Sequence, residues 1–280
     1  MPTIDFHPLR KMKTHLDEQG VAQYQLATAN GLLDMNKLIG SSLTLIFNNH
    51  IACQHCGRKT KKSYAQGFCF PCMQKLAQCD ICIMKPEQCH HAAGTCREPE
   101  WGEQHCMVDH YVYLANTSGL KVGITRHTQL PTRWIDQGAT QALPIFKVST
   151  RLQSGLVETA LAEFIADKTN WRAMLKGGAE NVDLIGLSKQ LIPKISARLD
   201  ELRLNFGEQA VVELNEQPVS IQYPVLTYPV KVSSFNFDKS AIISGILQGI
   251  KGQYLIFDTG VINLRKFTSY YVSIDYTENN

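Results

Sequence analysis

Tyr111-Val112-Tyr113-Leu114, then Asn116-Thr117-Ser118-Gly119, then Leu120-Lys121-Val122-Gly123-Ile124 is the stretch that decides the fold. Aromatic and β-branched runs on either side of a polar turn ending in glycine predict a β-hairpin. A helix is expected from near Thr132, and a second over residues 156–167, where Leu156, Ala160 and Phe164, with Leu161 and Ile165, recur at helical spacing. Residues 109–185 therefore read as a compact α/β domain. A third helix over 187–206, carried by Leu191, Ile195, Leu199 and Leu202, is expected to break near Pro193. Beyond it, 225–237, 241–247, 253–257 and 261–266 read as strands, with turns at 249–252 and 258–260. Residues 186–280 thus suggest a helix followed by a small all-β barrel or sandwich. The fold class expected for the whole chain is α+β.

Upstream, all nine cysteines lie between Cys53 and Cys106. Clustered cysteines in a reducing compartment point to metal ligands before disulfides. Cys53-Gln-His-Cys56, twelve residues, then Cys69-Phe-Pro-Cys72 has paired two-residue gaps, so each pair of thiolates can reach one ion. Two such knuckles close a tetrahedral zinc site, and Gly57 suits the tight turn after the first. A second zinc is expected from Cys82, Cys89, Cys96 and Cys106, with Cys79 or His90 as substitutes. Full thiolate shells make both sites structural, with no open position for water. The expected organisation is a strand segment over 1–50, with 43–47 as its strand, a zinc-binding region over 51–108, the α/β domain over 109–185, and the remainder over 186–280.

The chain has 280 residues, is 44% hydrophobic and 19% charged, and carries a formal charge of +3, which excludes disorder as the default. No apolar run approaches the ~18–20 residues needed to span a bilayer, and no basic and apolar leader is visible, so a cytoplasmic protein with no membrane partner is expected. Charge is unevenly placed. Arg58, Lys59, Lys61, Lys62 and Lys75 fall between Cys53 and Lys75 without an Asp or Glu, interleaved with Tyr64, Phe68 and Phe70. Basic residues among aromatics on a zinc ribbon suit phosphate contact with base stacking, and make nucleic acid, DNA or RNA, the expected partner. In the C-terminal strands, Tyr254, Phe257, Phe267 and Tyr270 offer further stacking candidates.

The hairpin also carries a resemblance. Tyr111-Val-Tyr113, seven residues, and Lys121-Val-Gly-Ile-Thr125, followed by Arg133 at a helix start and Glu158 on a later helix, resemble the ordered motifs of the GIY-YIG nuclease superfamily over residues 110–175. The chain as a whole, from its knuckles through Gly94-Thr-Cys-Arg-Glu-Pro99 to Lys121-Val-Gly-Ile-Thr-Arg126, also resembles an uncharacterised bacterial family of unknown function. The first resemblance implies Mg²⁺- or Mn²⁺-dependent phosphodiester cleavage. Glu158 would hold the ion, Arg133 would fork onto phosphate oxygens, and Tyr113 would orient water. Gly123 would leave room for the sugar–phosphate backbone, with Thr125, Arg126 and His127 as further substrate contacts. Asn170 resembles a late polar residue of the superfamily. Two departures bear on cleavage: Tyr111 stands where the motif has its first glycine, and Lys121 where it has its second tyrosine. Lys121 retains phosphate attraction and acts as a base only if its pKa is depressed.

Each residue has a plainer reading: Tyr113 as a strand aromatic, Arg133 as a cation on Trp134, Glu158 as a carboxylate favoured by a helix dipole. The functions left standing are a metal-dependent endonuclease, a non-cleaving zinc-ribbon protein bound to DNA, RNA or the ribosome, and a zinc-scaffolded protein adaptor.

Overall fold

A computed structural model describes residues 3–165, 168–177 and 179–277. The chain begins with β1 (Thr3–Pro8), β2 (Lys13–Leu16), β3 (Ala22–Thr28), β4 (Gly31–Asp34) and β5 (Ser42–Ile51). Burial alternates at every residue of β3, and Asn30-Gly31 leads into β4. β2, β3 and β4 form a three-stranded antiparallel sheet. This sheet is additional to the strands expected above, although the alternation in Ala22-Gln-Tyr-Gln-Leu-Ala-Thr28 is a period-2 signal. β5 sends Leu43, Leu45 and Phe47 into the core, and Asn49, at φ 60, turns the strand toward the first cysteine knuckle.

The cysteine region holds only short helices, α1 (Phe70–Lys75) and α2 (Pro99–His105), among 3₁₀ turns. Next come β6 (His110–Asn116) and β7 (Leu120–Arg126), the hairpin expected from the sequence, with Tyr113 opposite Gly123 and Ala115 opposite Lys121. α3 (Thr132–Asp136) stops at Gly138, whose φ is +71, and leads into β8 (Gln141–Val148), which pairs with β6. α4 (Arg151–Ala162) starts five residues before the expected helix, at a capping box between Thr150 and Gln153. Residues 166–167 of that expected helix lie outside the described residues. After α5 (Trp171–Leu175), the long helix expected near 187–206 is two, α6 (Leu184–Leu191) and α7 (Ser196–Phe206), joined by a 3₁₀ turn containing Pro193. β9 (Val211–Glu213) and β10 (Val219–Ser220) complete a five-stranded antiparallel sheet.

The last strands are β11 (Ile242–Lys251), β12 (Tyr254–Phe257), β13 (Val261–Asn263) and β14 (Tyr270–Tyr276). They do not stand alone. The sheet order β1-β14-β5-β11-β12-β13 interleaves both chain ends, so β1 and β5 of the N-terminal segment and the C-terminal strands make one open sheet, not a strand segment and a separate barrel or sandwich. Residues 225–237, read as a strand, are irregular and touch the sheet by isolated bridges at Val225 and Ser234. Pro224 and Pro229 each remove a ladder donor there. Phe257, Phe267 and Tyr270 are core residues, and Tyr254 stacks on Trp171, so this group offers no open platform for bases. The chain is thus a mixture of helices with antiparallel sheets. No helix among the described residues is long and apolar enough to cross a membrane.

Two cores divide the hairpin's faces. Tyr113 and Ala115 pack with Trp134 of α3 and the six-stranded sheet, while Val112, Leu114, Val122 and Ile124 pack with Val157 and Leu161 of α4. The larger core ends against a buried lysine. Lys251 is 1% exposed, its Nζ lies 5.1 Å from the Tyr223 ring centroid and 5.5 Å from that of Tyr228, and burial lowers its pKa to about 8. The unfolded chain holds this proton up to about 10.4, so stability rises with pH between about 8 and 10. Below that window the buried charge opposes folding by about 3 kcal/mol, partly returned by the two rings. Lys251→Met is expected to stabilise by about 1–2 kcal/mol at neutral pH, with the gain shrinking by pH 10. Paired thermal melts at the two pH values check it.

Candidate functional site

The first knuckle is shaped by its backbone. Gly57 at φ +70 returns an N–H to Cys53 O at 2.9 Å, and Cys53 N–H reaches Arg58 O at 2.9 Å. The second knuckle starts α1, with Cys69 as its N-cap and Cys72 in its first turn. The four sulfurs of Cys53, Cys56, Cys69 and Cys72 lie within 4.8 Å of one another, and Cys56 Sγ is 3.7 Å from Cys69 Sγ. A tetrahedron of Zn–S bonds of about 2.3 Å has sulfur edges of about 3.8 Å, so this cluster fits a metal ion such as zinc. Burial pushes the Cys53 thiol up, but N–H donors from Cys56, Cys69 and His55 outweigh it and bring it down to about 6. Burial and the neighbouring sulfurs push Cys72 up. Thiols this close exchange protons for a shared cation.

Cys82, Cys89, Cys96 and Cys106 line one enclosed cavity of about 10 Å³, joined by Asp80, His90 and His91. That is space for a single atom-sized guest. Cys106 sits against Cys89 and lowers its pKa to about 6, while burial raises Cys82 to about 11. The tightest potential ligand group in this cavity is Asp80, Cys82 and His90, within 4.8 Å of one another, rather than the four sulfurs. Asp80 is engaged elsewhere, in an ion pair with Arg97. Cys79 does not line this cavity and opens instead onto the larger cleft next to it.

That cleft, of about 620 Å³, lies between the cysteine region and the two larger sheets. Arg10, Lys11, Arg126, Arg151 and Arg265 line it, and Asp80 is the one carboxylate residue among the described residues of its lining. Arg10 Nη1 donates to Gln54 Oε1 at 2.7 Å and Arg265 Nε to Gln66 Oε1 at 2.6 Å, so amides rather than carboxylates hold both guanidiniums. Arg151 anchors the wall by donating to Cys82 O at 3.3 Å and Ile83 O at 2.7 Å. Lys11 is paired with Asp136 at 2.9 Å. Burial, then the neighbouring Arg151, lowers the pKa of Arg126, and burial, then Arg133, lowers that of Arg265. Crowded, partly desolvated cations of this kind are eased by an incoming anion. Ala65 and Gln66, with φ of 41° and 61°, make the turn that presents Gln66 to Arg265. Non-glycine residues held there carry strain of order 1 kcal/mol each.

Beside the cleft is the hairpin constellation. Tyr113, fully buried, lies over Gly123, where an added Cβ would meet its hydroxyl at 2.6 Å. The room expected above Gly123 for a sugar–phosphate backbone is therefore filled by the Tyr113 ring. Gln137, which sequence reasoning missed, bridges two of the expected residues: its amide nitrogen donates to Tyr113 Oη at 2.8 Å, and its oxygen accepts from Arg133 Nε and Nη2 at 3.2 Å. Burial raises the Tyr113 phenol above its ordinary value, with Arg133 opposing and Glu158 adding to the shift. Both charges thus bear on one hydroxyl, although α3 and α4 pack on opposite faces of the hairpin; β7 is the edge strand where those faces meet. Lys121 shares the Tyr113 face, is 5% exposed and is engaged in an interaction.

The remaining expected residues disperse. Thr125 is buried, and His127 is exposed with Nδ1 3.4 Å from Asp109 O. Asn170 caps α5 by accepting from Ala173 N at 3.2 Å. Arg58, Lys59, Lys61 and Lys62 are exposed on the knuckle and do not line the cleft. Of the expected substrate contacts, Arg126 alone lines it. Neither a curated protein nor a solved structure matches the chain. Residues 40–272 match the family described as protein of unknown function (DUF2797), and the chain belongs to that family.

Proposed function

We propose that this protein binds nucleic acid, with a zinc-scaffolded cysteine region as one wall of the binding cleft. The observation that carries this reading is the convergence of Arg10, Lys11, Arg126, Arg151 and Arg265 on one cavity with a single carboxylate residue among the described residues of its lining. Guanidiniums held by amides keep their charge for an outside anion, and their planar fork matches a pair of phosphate oxygens. In this reading zinc fills the Cys53, Cys56, Cys69 and Cys72 site. A second zinc would sit in the cavity where Asp80, Cys82 and His90 meet Cys89, Cys96 and Cys106, next to α2.

If Arg10, Arg126 and Arg265 each neutralise a phosphate, log K should fall with log salt at a slope of about −2 for single strands. Arg126→Ala should weaken binding and reduce that slope by about 0.7. Anisotropy of labelled oligonucleotides across a salt series measures both. Salt-independent binding, or none, would overturn the reading in favour of a zinc-scaffolded protein adaptor.

A second reading is cleavage at the GIY-YIG-like set, favoured by the joint action of Arg133 and Glu158 on the Tyr113 hydroxyl. Arg133 would offset charge on the phosphate, and Glu158 would hold Mg²⁺ or Mn²⁺, an ion that supplies charge neutralisation and an acidified water. Burial of Tyr113 and Lys121 ranks binding above cutting: a phenol raised by burial is a poor base, and a buried, engaged lysine is not open to substrate. Bound oligonucleotide is therefore expected to stay intact with Mg²⁺ or Mn²⁺. Divalent-dependent cleavage that disappears in Glu158→Ala would reverse this ranking.

A further inference from the structure

Cations alone do not distinguish one nucleic acid from another, but the cleft has a second feature. Trp101 and His105, on successive turns of α2, stack with ring centroids 4.1 Å apart and planes 6° from parallel, and both rings line the cleft. His105 Nδ1 lies 2.8 Å from Trp101 O, which fixes the second ring against the first. Trp101 also borders the cavity of Cys82, Cys89, Cys96 and Cys106, so the cysteine cluster backs the platform from behind. A rigid aromatic face beside half-buried guanidiniums offers two contacts at once, a π-surface for a base and forks for its phosphates.

We infer that the cleft takes single-stranded nucleic acid, with a base on the Trp101–His105 stack and adjoining phosphates on Arg126 and Arg265. This rests on the nucleic-acid reading above and narrows it to strand type. A duplex keeps its bases stacked on one another and its phosphates on a convex surface, so it can offer neither an open base face nor a backbone that enters a recess. The cleft volume lies in the range of about 300–1,000 Å³ typical of sites that enclose a small organic ligand, not of a groove that seats a helix.

The test compares labelled single-stranded DNA and RNA 12-mers, the same sequences as duplexes, and AMP as a free mononucleotide, all with the full-length protein. Single strands should bind at least tenfold more tightly than duplexes and far more tightly than AMP. Arg126→Ala and Arg265→Ala should each weaken them several-fold, and Trp101→Ala about tenfold, the loss of one stacked base. Trp101→Phe, which keeps a ring, should restore most of it. Because Trp101→Ala also touches the cysteine cavity, a 2-aminopurine placed in the single strand gives a readout on the unaltered protein: its fluorescence should be quenched on binding. Equal affinity for duplex and single strand, no quenching, or AMP bound as tightly as the 12-mer would overturn the inference while leaving phosphate-driven binding intact. Failure of every oligonucleotide to bind would remove both.

Discussion

Chelating the zinc proposed for the Cys53, Cys56, Cys69 and Cys72 cluster is expected to unfold residues 53–76 while the larger sheets remain folded. The buried apolar cluster of this segment comprises Cys53, Phe68, Cys69 and Leu76, and two of those four belong to the proposed ligand set. So small a cluster offsets little of the ~1–2 kcal/mol of backbone entropy that each ordered residue gives up. Structural zinc supplies about 10–16 kcal/mol in isolated finger peptides, so a zinc bound as proposed would outweigh packing in deciding the fold of this segment. Cys56→Ser is the cleanest probe, because Cys56 is exposed and its replacement removes no core contact. Loss of about one metal ion per chain, new protease cuts between residues 53 and 76, and weaker oligonucleotide binding should occur together, since Gln54 and Gln66 hold Arg10 and Arg265. Metal analysis with limited proteolysis checks this. A Cys56→Ser protein that keeps both its metal and its protease resistance would refute it.

What the sequence displayed clearly was local. The hairpin at 110–126, the break at Pro193 and the paired cysteine gaps each depend on residues close in the chain, and each appears at its expected place. What it hid was long-range pairing. β5 lies between β11 and β14, strands some 200 residues away, and no short-range signal announces such partners. Val, Tyr and Phe favour a strand over 225–237, but Pro224 and Pro229 override that preference.

The same distinction explains the candidate site. Arg58, Lys59, Lys61 and Lys62 are legible as a run because they are close in the chain, and they stay exposed on the knuckle outside the cleft. The cleft draws Arg10 and Lys11 from the turn after β1, Arg126 from the end of β7, Arg151 from the start of α4 and Arg265 from the turn after β13. Apart from the adjacent Arg10 and Lys11 they are scattered along the sequence, and they converge only once both chain ends share one sheet. Tyr113, Arg133 and Glu158 were legible because the order of motifs around a hairpin is itself local information. Gln137, which links two of them, lies outside that pattern and had no signal of its own.

Gly155→Ala is expected to destabilise the protein by about 3 kcal/mol and to weaken the proposed nucleic-acid binding without altering any cleft residue. By propensity alone the change should help, since alanine is favoured over glycine in a helix interior by about 1 kcal/mol. Tertiary contact reverses the sign. A Cβ at Gly155 would overlap Glu87 N and stand 2.6 Å from Pro86 C, and backbone atoms cannot swing aside as a side-chain tip can. One turn earlier on the same face, Arg151 holds the carbonyls of Cys82 and Ile83, and its own N–H donates to Cys106 O at 2.7 Å. The first two turns of α4 are therefore the seam that docks the second cysteine cluster on the hairpin domain. Forcing that seam apart moves the wall carrying Trp101 and His105 away from Arg126. Thr159→Ala, at an exposed position of the same helix, should change stability by less than about 0.5 kcal/mol. Denaturant titration of the two variants beside the parent protein decides the matter: a Gly155→Ala chain as stable as the parent, or more so, would mean that α4 and the 86–88 turn do not meet as closely as this seam requires.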